Sequence, residues 1–130
     1  MPKDKGFTLL EVAVALCILA MFLVPLLGAV SGGMRNIERA RNLQTARQLA
    51  MSKLEEIKLT AIPDAEQEID GDFSPQHPDY QYKIIFTKNP ELLLLETQVN
   101  GLKTMEVHLF VIWTEGNAAR SLEFQTLLAT

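Results

Sequence analysis

The chain has 130 residues, enough for one domain of ordinary size, with 48% apolar residues and a formal net charge of −4 at pH 7. The negative charge disfavours a nucleic-acid surface, which requires clustered lysine and arginine. Cys17 is the only cysteine, so no intramolecular disulfide can form, and no spacing of cysteine and histidine resembles a metal site. We therefore expect no metal and no cofactor.

A nearly uninterrupted apolar run extends from Val12 to Val30. As a helix rising about 1.5 Å per residue it would be about 28 Å long, close to the hydrocarbon thickness of a bilayer. An ordinary secretory signal cleaved near Ser31 is the first alternative, but the apolar run of such a signal has only about 7 to 15 residues. We predict a leader peptide at residues 1–6 and a single membrane-spanning helix at residues 7–30.

Glu11 lies just before this apolar run, where a carboxylate is unfavourable unless a positive group neutralises it. Cleavage between Gly6 and Phe7 would create an α-amino group four residues earlier, which a continuing helix would place on the same face. Glu11 could then pair with that amine in its own chain or in a neighbouring one. The alternative is that Glu11 only caps a signal-anchor helix.

The segment Lys5-Gly6-Phe7-Thr8-Leu9-Leu10-Glu11 resembles the cleavage and methylation motif of type IV pilins and type II secretion pseudopilins. The resemblance implies that a prepilin peptidase cuts after Gly6 and methylates Phe7. It also implies that Glu11 recruits each subunit into a helical filament by meeting the N-terminus of an adjacent subunit.

No helix breaker occurs between Met34 and Ile62, so we predict an amphipathic helix at residues 34–60 that continues the membrane span. Its apolar stripe packs on the protein's own sheet or, in part, on neighbouring helices. The stripe consists of Ile37, Ala40, Leu43, Ala46, Ala50, Leu54 and Ile57. We interpret the arginines of this helix as a solvated face, namely Arg35, Arg39, Arg41 and Arg47.

Residues 62–79 contain three prolines and six carboxylates without a lysine or arginine, which predicts an acidic loop. Asp70-Gly71-Asp72 offers oxygen ligands of the kind that calcium binds, but it lacks the remaining spacing of a calcium loop. We favour a solvated loop over a calcium site.

Alternating apolar residues predict antiparallel strands within residues 80–128. The clearest segments are Tyr80–Lys88, Lys103–Thr114 and Arg120–Leu128, whereas the pattern of Leu92–Val99 is ambiguous. Asn100-Gly101 is a hairpin signal that would join this ambiguous segment to the next strand. A long helix followed by three or four strands indicates an α+β fold, with the sheet packed on the helix.

Three motifs in the predicted strand region and the end of the long helix, Ala50–Leu59, resemble the I-type minor pseudopilin of type II secretion systems. The three motifs are Tyr80-x-Tyr82, Trp113-x-Glu115-Gly116 and Arg120-Ser121-Leu122. The resemblance implies a pilin-like fold and a bacterial inner-membrane protein whose C-terminal domain, residues 31–130, lies in the periplasm.

By the same resemblance, the protein assembles at the pseudopilus tip and supports export of folded proteins. Its partners would be the J-type, K-type and H-type minor pseudopilins, the major pseudopilin, the prepilin peptidase and the inner-membrane lipid. Two alternatives stay open: a minor pilin of a type IV or DNA-uptake pilus, and a signal-anchored periplasmic protein that binds a ligand.

The region that follows the long helix contains no recognisable catalytic motif, so we predict that the protein is not an enzyme. His108 falls in a strand on the side opposite its apolar face and near Glu106, which favours a surface histidine over a general base.

Overall fold

The computed structural model describes residues 6–130, with the exception of the side chain of Leu95. The chain divides into two compact units, one that ends at Ala40 and one formed by Arg41–Thr130. The second unit is called the head below.

The first unit consists of the N-terminal part of helix α1, which extends over Leu9–Leu59 and continues into the head. Every side chain from residue 6 to residue 41 is exposed, including the apolar run. By length and composition, this part of α1 suffices to cross a membrane. The continuous helix predicted from the sequence is confirmed.

The part of α1 within the head places one stripe of small and aliphatic side chains against the sheet. Ala46, Ala50, Leu54 and Ile57 are buried and Leu43 is partly buried, at steps of three or four residues. The predicted stripe is therefore confirmed from Leu43 onward as packing on the protein's own sheet. Ile37, in the first unit, remains 59% exposed.

Four antiparallel strands follow in the simple order β1-β2-β3-β4. Their bounds are β1 Gln67–Phe73, β2 His77–Thr87, β3 Thr104–Glu115 and β4 Ala118–Ala129, with a short helix α2, Pro90–Gln98, between β2 and β3. The predicted α+β, pilin-like fold, a long N-terminal helix packed on a small antiparallel sheet, is confirmed.

The core lies between the head part of α1 and one face of the sheet. The central strand β3 contributes every second side chain, and all of them are buried: Met105, Val107, Leu109, Val111 and Trp113. Strand β2 adds Ile84 and Phe86, and β4 adds Leu128. This period of two is the pattern from which the strands were predicted.

The prediction of a loop throughout residues 62–79 is wrong, because β1 and the first residues of β2 lie within it. Strand β1 is an edge strand whose outer side chains are exposed, so its carboxylates remain hydrated while its backbone pairs with β2. Lys83 of β2 also neutralises one of them, with its Nζ 2.6 Å from Glu68 Oε1.

Residues 90–98 form α2 and not a strand, which corrects the assignment of residues 80–128 to strands alone. Asn89 caps the helix, since its Oδ1 accepts a hydrogen bond from Glu91 N at 3.0 Å. Pro90 follows at the first helical position, where its fixed φ is favourable. The Asn100-Gly101 turn, with Gly101 at φ +92°, therefore connects a helix to β3 and is not a hairpin.

Candidate functional site

The predicted cleavage site lies in a short non-helical segment immediately before α1. Gly6, Phe7 and Thr8 precede the first helical residue, Leu9, and all three are exposed, with Phe7 83% exposed. Exposed non-helical backbone is the preferred substrate of proteases, so the Gly6–Phe7 bond is accessible to a peptidase. The other leader residues, Met1 to Lys5 with the basic Lys3 and Lys5, lie outside the described residues.

Thr8 caps the N-terminus of α1. Its side-chain Oγ1 accepts a hydrogen bond from Glu11 N at 3.3 Å, and its carbonyl accepts bonds from Glu11 N at 3.1 Å and Val12 N at 3.2 Å. Sequence reasoning missed this role, although Thr-x-x-Glu is the signature of a capping box. The motif therefore fixes the start of the helix two residues after the Gly6–Phe7 bond.

Glu11 occupies the first turn of α1 and is exposed. A negative side chain is favourable there because the N-terminus of a helix carries a partial positive charge. The sequence predicts that Phe7 and Glu11 share a helical face, but Phe7 precedes the first helical residue, Leu9. Both residues nevertheless line one groove, so they lie on the same side of this segment.

This groove is open, apolar and about 470 Å³ in volume. Its lining residues are Phe7, Glu11, Val12, Ala15, Leu16 and Leu19. Glu11 is the charged member of that set, at the end of an apolar helix surface. The groove thus combines an apolar surface with one carboxylate at its N-terminal end.

The other residues singled out from the sequence lie apart from this segment. Cys17 is exposed on α1, and the four arginines of the predicted solvated face are also exposed. His108 lies on the sheet face opposite α1, with Nδ1 3.0 Å from Glu123 Oε1 and Nε2 3.6 Å from Glu106 Oε1. Within residues 6–130, no group of three or more His, Cys, Asp or Glu is arranged to hold a metal ion.

A polar cluster in the head also escaped sequence reasoning. The Tyr80 ring stacks on the Trp113 ring with centroids 6.0 Å apart, and Tyr80 Oη lies 3.4 Å from the carbonyl oxygen of Asn42. Asn42 Nδ2 in turn donates to Glu115 Oε1 at 3.4 Å. Burial raises the pKa of Tyr80, so its phenol remains a neutral donor. The cluster attaches the head part of α1 to the sheet.

Residues 1–27 match the family described as the prokaryotic N-terminal methylation motif. A long helix that begins with this motif and is followed by an antiparallel sheet is consistent with an α+β, pilin-like fold. The chain is also similar to type II secretion system protein I of Pseudomonas aeruginosa, with 26% identity over 113 residues. The match covers 87% of this chain and 78% of that protein. No solved structure matches.

Together the two matches confirm the resemblance to I-type pseudopilins and support a pilin-like function in secretion. The methylation motif and the exposed apolar helix are consistent with a single-pass anchor in the inner membrane.

Proposed function

We propose that the chain is an I-type minor pseudopilin of a type II secretion system, which assembles at the pseudopilus tip to support export of folded proteins across the outer membrane. The observation that carries the proposal is the Gly6–Phe7 bond in an exposed segment directly before an apolar helix that begins with a methylation motif. The similarity to type II secretion system protein I over 87% of the chain supports the I type.

In this proposal a prepilin peptidase removes residues 1–6 and methylates the new N-terminal residue, Phe7. The amine remains positively charged after methylation, so Glu11 of a neighbouring subunit can pair with it. A carboxylate at the membrane edge is costly when alone and much less so when paired. Glu11 thereby favours docking of one apolar helix beside another over a solitary subunit in the bilayer.

The partners that the proposal assigns are other pseudopilins. They are the J-type, K-type and H-type minor subunits and the major subunit, with residues 7–30 in the inner membrane and residues 31–130 in the periplasm. The role that we propose is assembly and not catalysis, and the similarity to a type II secretion system protein supports it.

Complementation of a deletion strain tests the proposal. Export of folded proteins should stop when the gene is deleted and return with the wild-type gene. Glu11→Gln should restore little export, because the isosteric amide cannot neutralise an amine. The matched control is Glu38→Gln, which removes another exposed carboxylate of α1 and should restore export fully. Unchanged export in the deletion strain would contradict the proposal.

A further inference from the structure

The sheet of the head has two edges, β1 and β4, because the strand order is β1-β2-β3-β4. An edge strand presents N–H and C=O groups that pair with nothing in its own sheet, and proteins generally protect such edges. The two edges differ in how they are protected.

One pair of hydrogen bonds between β3 and β4 determines which backbone N–H and C=O groups of β4 point away from β3. Lys103 N donates to Thr130 O at 2.7 Å, and Thr130 N donates to Lys103 O at 3.0 Å. Such bonded pairs alternate with non-bonded pairs in an antiparallel ladder, so Thr104 and Ala129 form a non-bonded pair. The β4 residues of the non-bonded pairs direct their backbone groups away from β3. They are Ala119, Ser121, Glu123, Gln125, Leu127 and Ala129.

The β1 edge is protected in three ways. The strand has only 7 residues, it carries the acidic side chains of Asp70 and Asp72, and its register with β2 shifts between Asp72 and Phe73. Shortness, charge and irregular register all oppose pairing with another strand.

The β4 edge lacks these protections. Its 12 residues pair with β3 in an unbroken register and include neither proline nor lysine. Its charged side chains turn back toward β3: Arg120 Nε lies 3.3 Å from Glu115 Oε2, and Glu123 Oε1 lies 3.0 Å from His108 Nδ1. Gln125 Nε2 likewise donates to Glu106 Oε1. Both charged side chains of β4 are thus paired with residues of β3, and they remain about half exposed.

Strand β4 carries apolar side chains on both faces of the sheet. Leu122 and Phe124 pack against the core but are only half-buried, and Leu127 on the opposite face is 49% exposed. An added strand with apolar residues at alternate positions would cover Leu122 and Phe124 and would extend the core.

We propose that the β4 edge accepts an antiparallel strand from a different pilin-like subunit, an inference that rests on the proposed function. In this topology β1 runs antiparallel to β4, so a subunit of the same fold and orientation offers its own first strand in the required direction. The protected β1 edge of this chain opposes self-association. The added strand carries apolar residues toward the α1 side and polar or basic residues near Glu123.

Photo-crosslinking in membranes locates the partner. The full chain, with a benzophenone amino acid in place of Leu127, is produced in its host together with the other pilin-like subunits. Irradiation should give an adduct with one of those subunits. The same probe in place of Asp70, on the protected edge, is the control and should give at least about tenfold less adduct.

Three substitutions at Ser121 test whether the outward backbone makes the contact. Ser121→Pro removes an outward N–H that β3 does not use, and Ser121→Lys places an unpaired charge at the edge. Each should reduce the Leu127 adduct about tenfold, whereas Ser121→Ala should retain it. If proteolysis shows that Ser121→Pro does not fold, Ser121→Lys decides the test.

Wild-type adduct yield in the folded Ser121→Pro and Ser121→Lys variants would overturn the inference, as would an adduct of two copies of this chain or no adduct at all. If export still depends on the gene in those cases, the proposed function survives and only the β4 docking surface is rejected. If export does not depend on the gene, the proposed function fails by its own test.

Discussion

The carboxylate of Glu96 accepts two hydrogen bonds from Thr104, one from the backbone N at 2.6 Å and one from Oγ1 at 2.8 Å. These bonds attach the last turn of α2 to the first residue of β3. They also satisfy the polar groups of Thr104, which is only 6% exposed. The Glu96–Thr104 contact therefore stabilises an element that the sequence pattern did not reveal.

The stability of the head should decrease in acid because of this contact. Hydrogen bonds from the backbone and then the side chain of Thr104 hold the pKa of Glu96 below its ordinary value of 4.5. A depressed folded pKa stabilises the fold above the unfolded pKa, and this contribution is lost as the pH falls through the folded value. We expect the thermal midpoint of the full chain in detergent to fall across this range.

Glu96→Gln should flatten that pH dependence, and Glu91→Gln, which removes another carboxylate of α2, should leave it unchanged. Circular dichroism melts at pH 7 and at several values below pH 4.5 provide the measurement. An equal acid dependence in wild type and Glu96→Gln would show that the Thr104 contact is not its source.

A second prediction concerns the pair Asp64 and Lys103, whose Oδ1 and Nζ lie 2.5 Å apart. The hydrogen bond and positive charge of Lys103 lower the pKa of Asp64, and the reciprocal contact raises the pKa of Lys103. Both side chains are well exposed, so salt should screen their attraction. We expect Asp64→Asn to change stability little at high salt and measurably only at low salt, in melts at the two ionic strengths. A large, salt-independent loss would contradict this interpretation.

Truncation of a buried β3 side chain should lower the free energy of unfolding more than truncation elsewhere in the head. Leu109 is fully buried, so Leu109→Ala removes packed volume and should lower the free energy of unfolding by about 2–5 kcal/mol. The matched control is Leu127→Ala on β4, where the side chain is 49% exposed and the expected change is below about 0.5 kcal/mol. Denaturant unfolding of both variants measures the difference, and similar losses would contradict the assigned core.

Gly71 makes room for the ring of Tyr82. A Cβ at position 71 would lie 2.6 Å from Tyr82 Oη. The Tyr82 ring also contacts the Phe73 ring, and Lys53 Nζ lies 4.4 Å from the centroid of the Tyr82 ring. Gly71→Ala should therefore destabilise the head by about 1–3 kcal/mol. In a Tyr82→Ala background the same substitution should cost much less, because the obstructing ring is gone. An equal cost in both backgrounds would place the strain elsewhere.

The elements that the sequence predicted correctly are those in which apolar residues recur at a regular period. Strands β2, β3 and β4 alternate apolar and polar side chains, and the head part of α1 repeats at three or four residues, because each element buries one face. Strand β1 escaped prediction because it contributes only Ile69 and Phe73 as apolar residues of its inner face, and its acids resemble a loop.

Helix α2 escaped prediction because four consecutive leucines, residues 92–95, show neither period. The informative signal was instead Asn89-Pro90, a cap followed by proline at the first helical position. At the N-terminal site, the motif at Gly6, Phe7 and Glu11 was visible in the sequence. The capping hydrogen bond of Thr8 was not predicted, although the Thr8-x-x-Glu11 spacing is typical of a capping box.

The proposed function requires that the chain is processed to a membrane-anchored, pilin-like subunit. The intact mass of the form purified from the membranes of its host tests it most directly. We expect the loss of residues 1–6 and the gain of one methyl group, with Phe7 as the first residue. A chain that retains its leader, or one that is cut after Ser31, would contradict it.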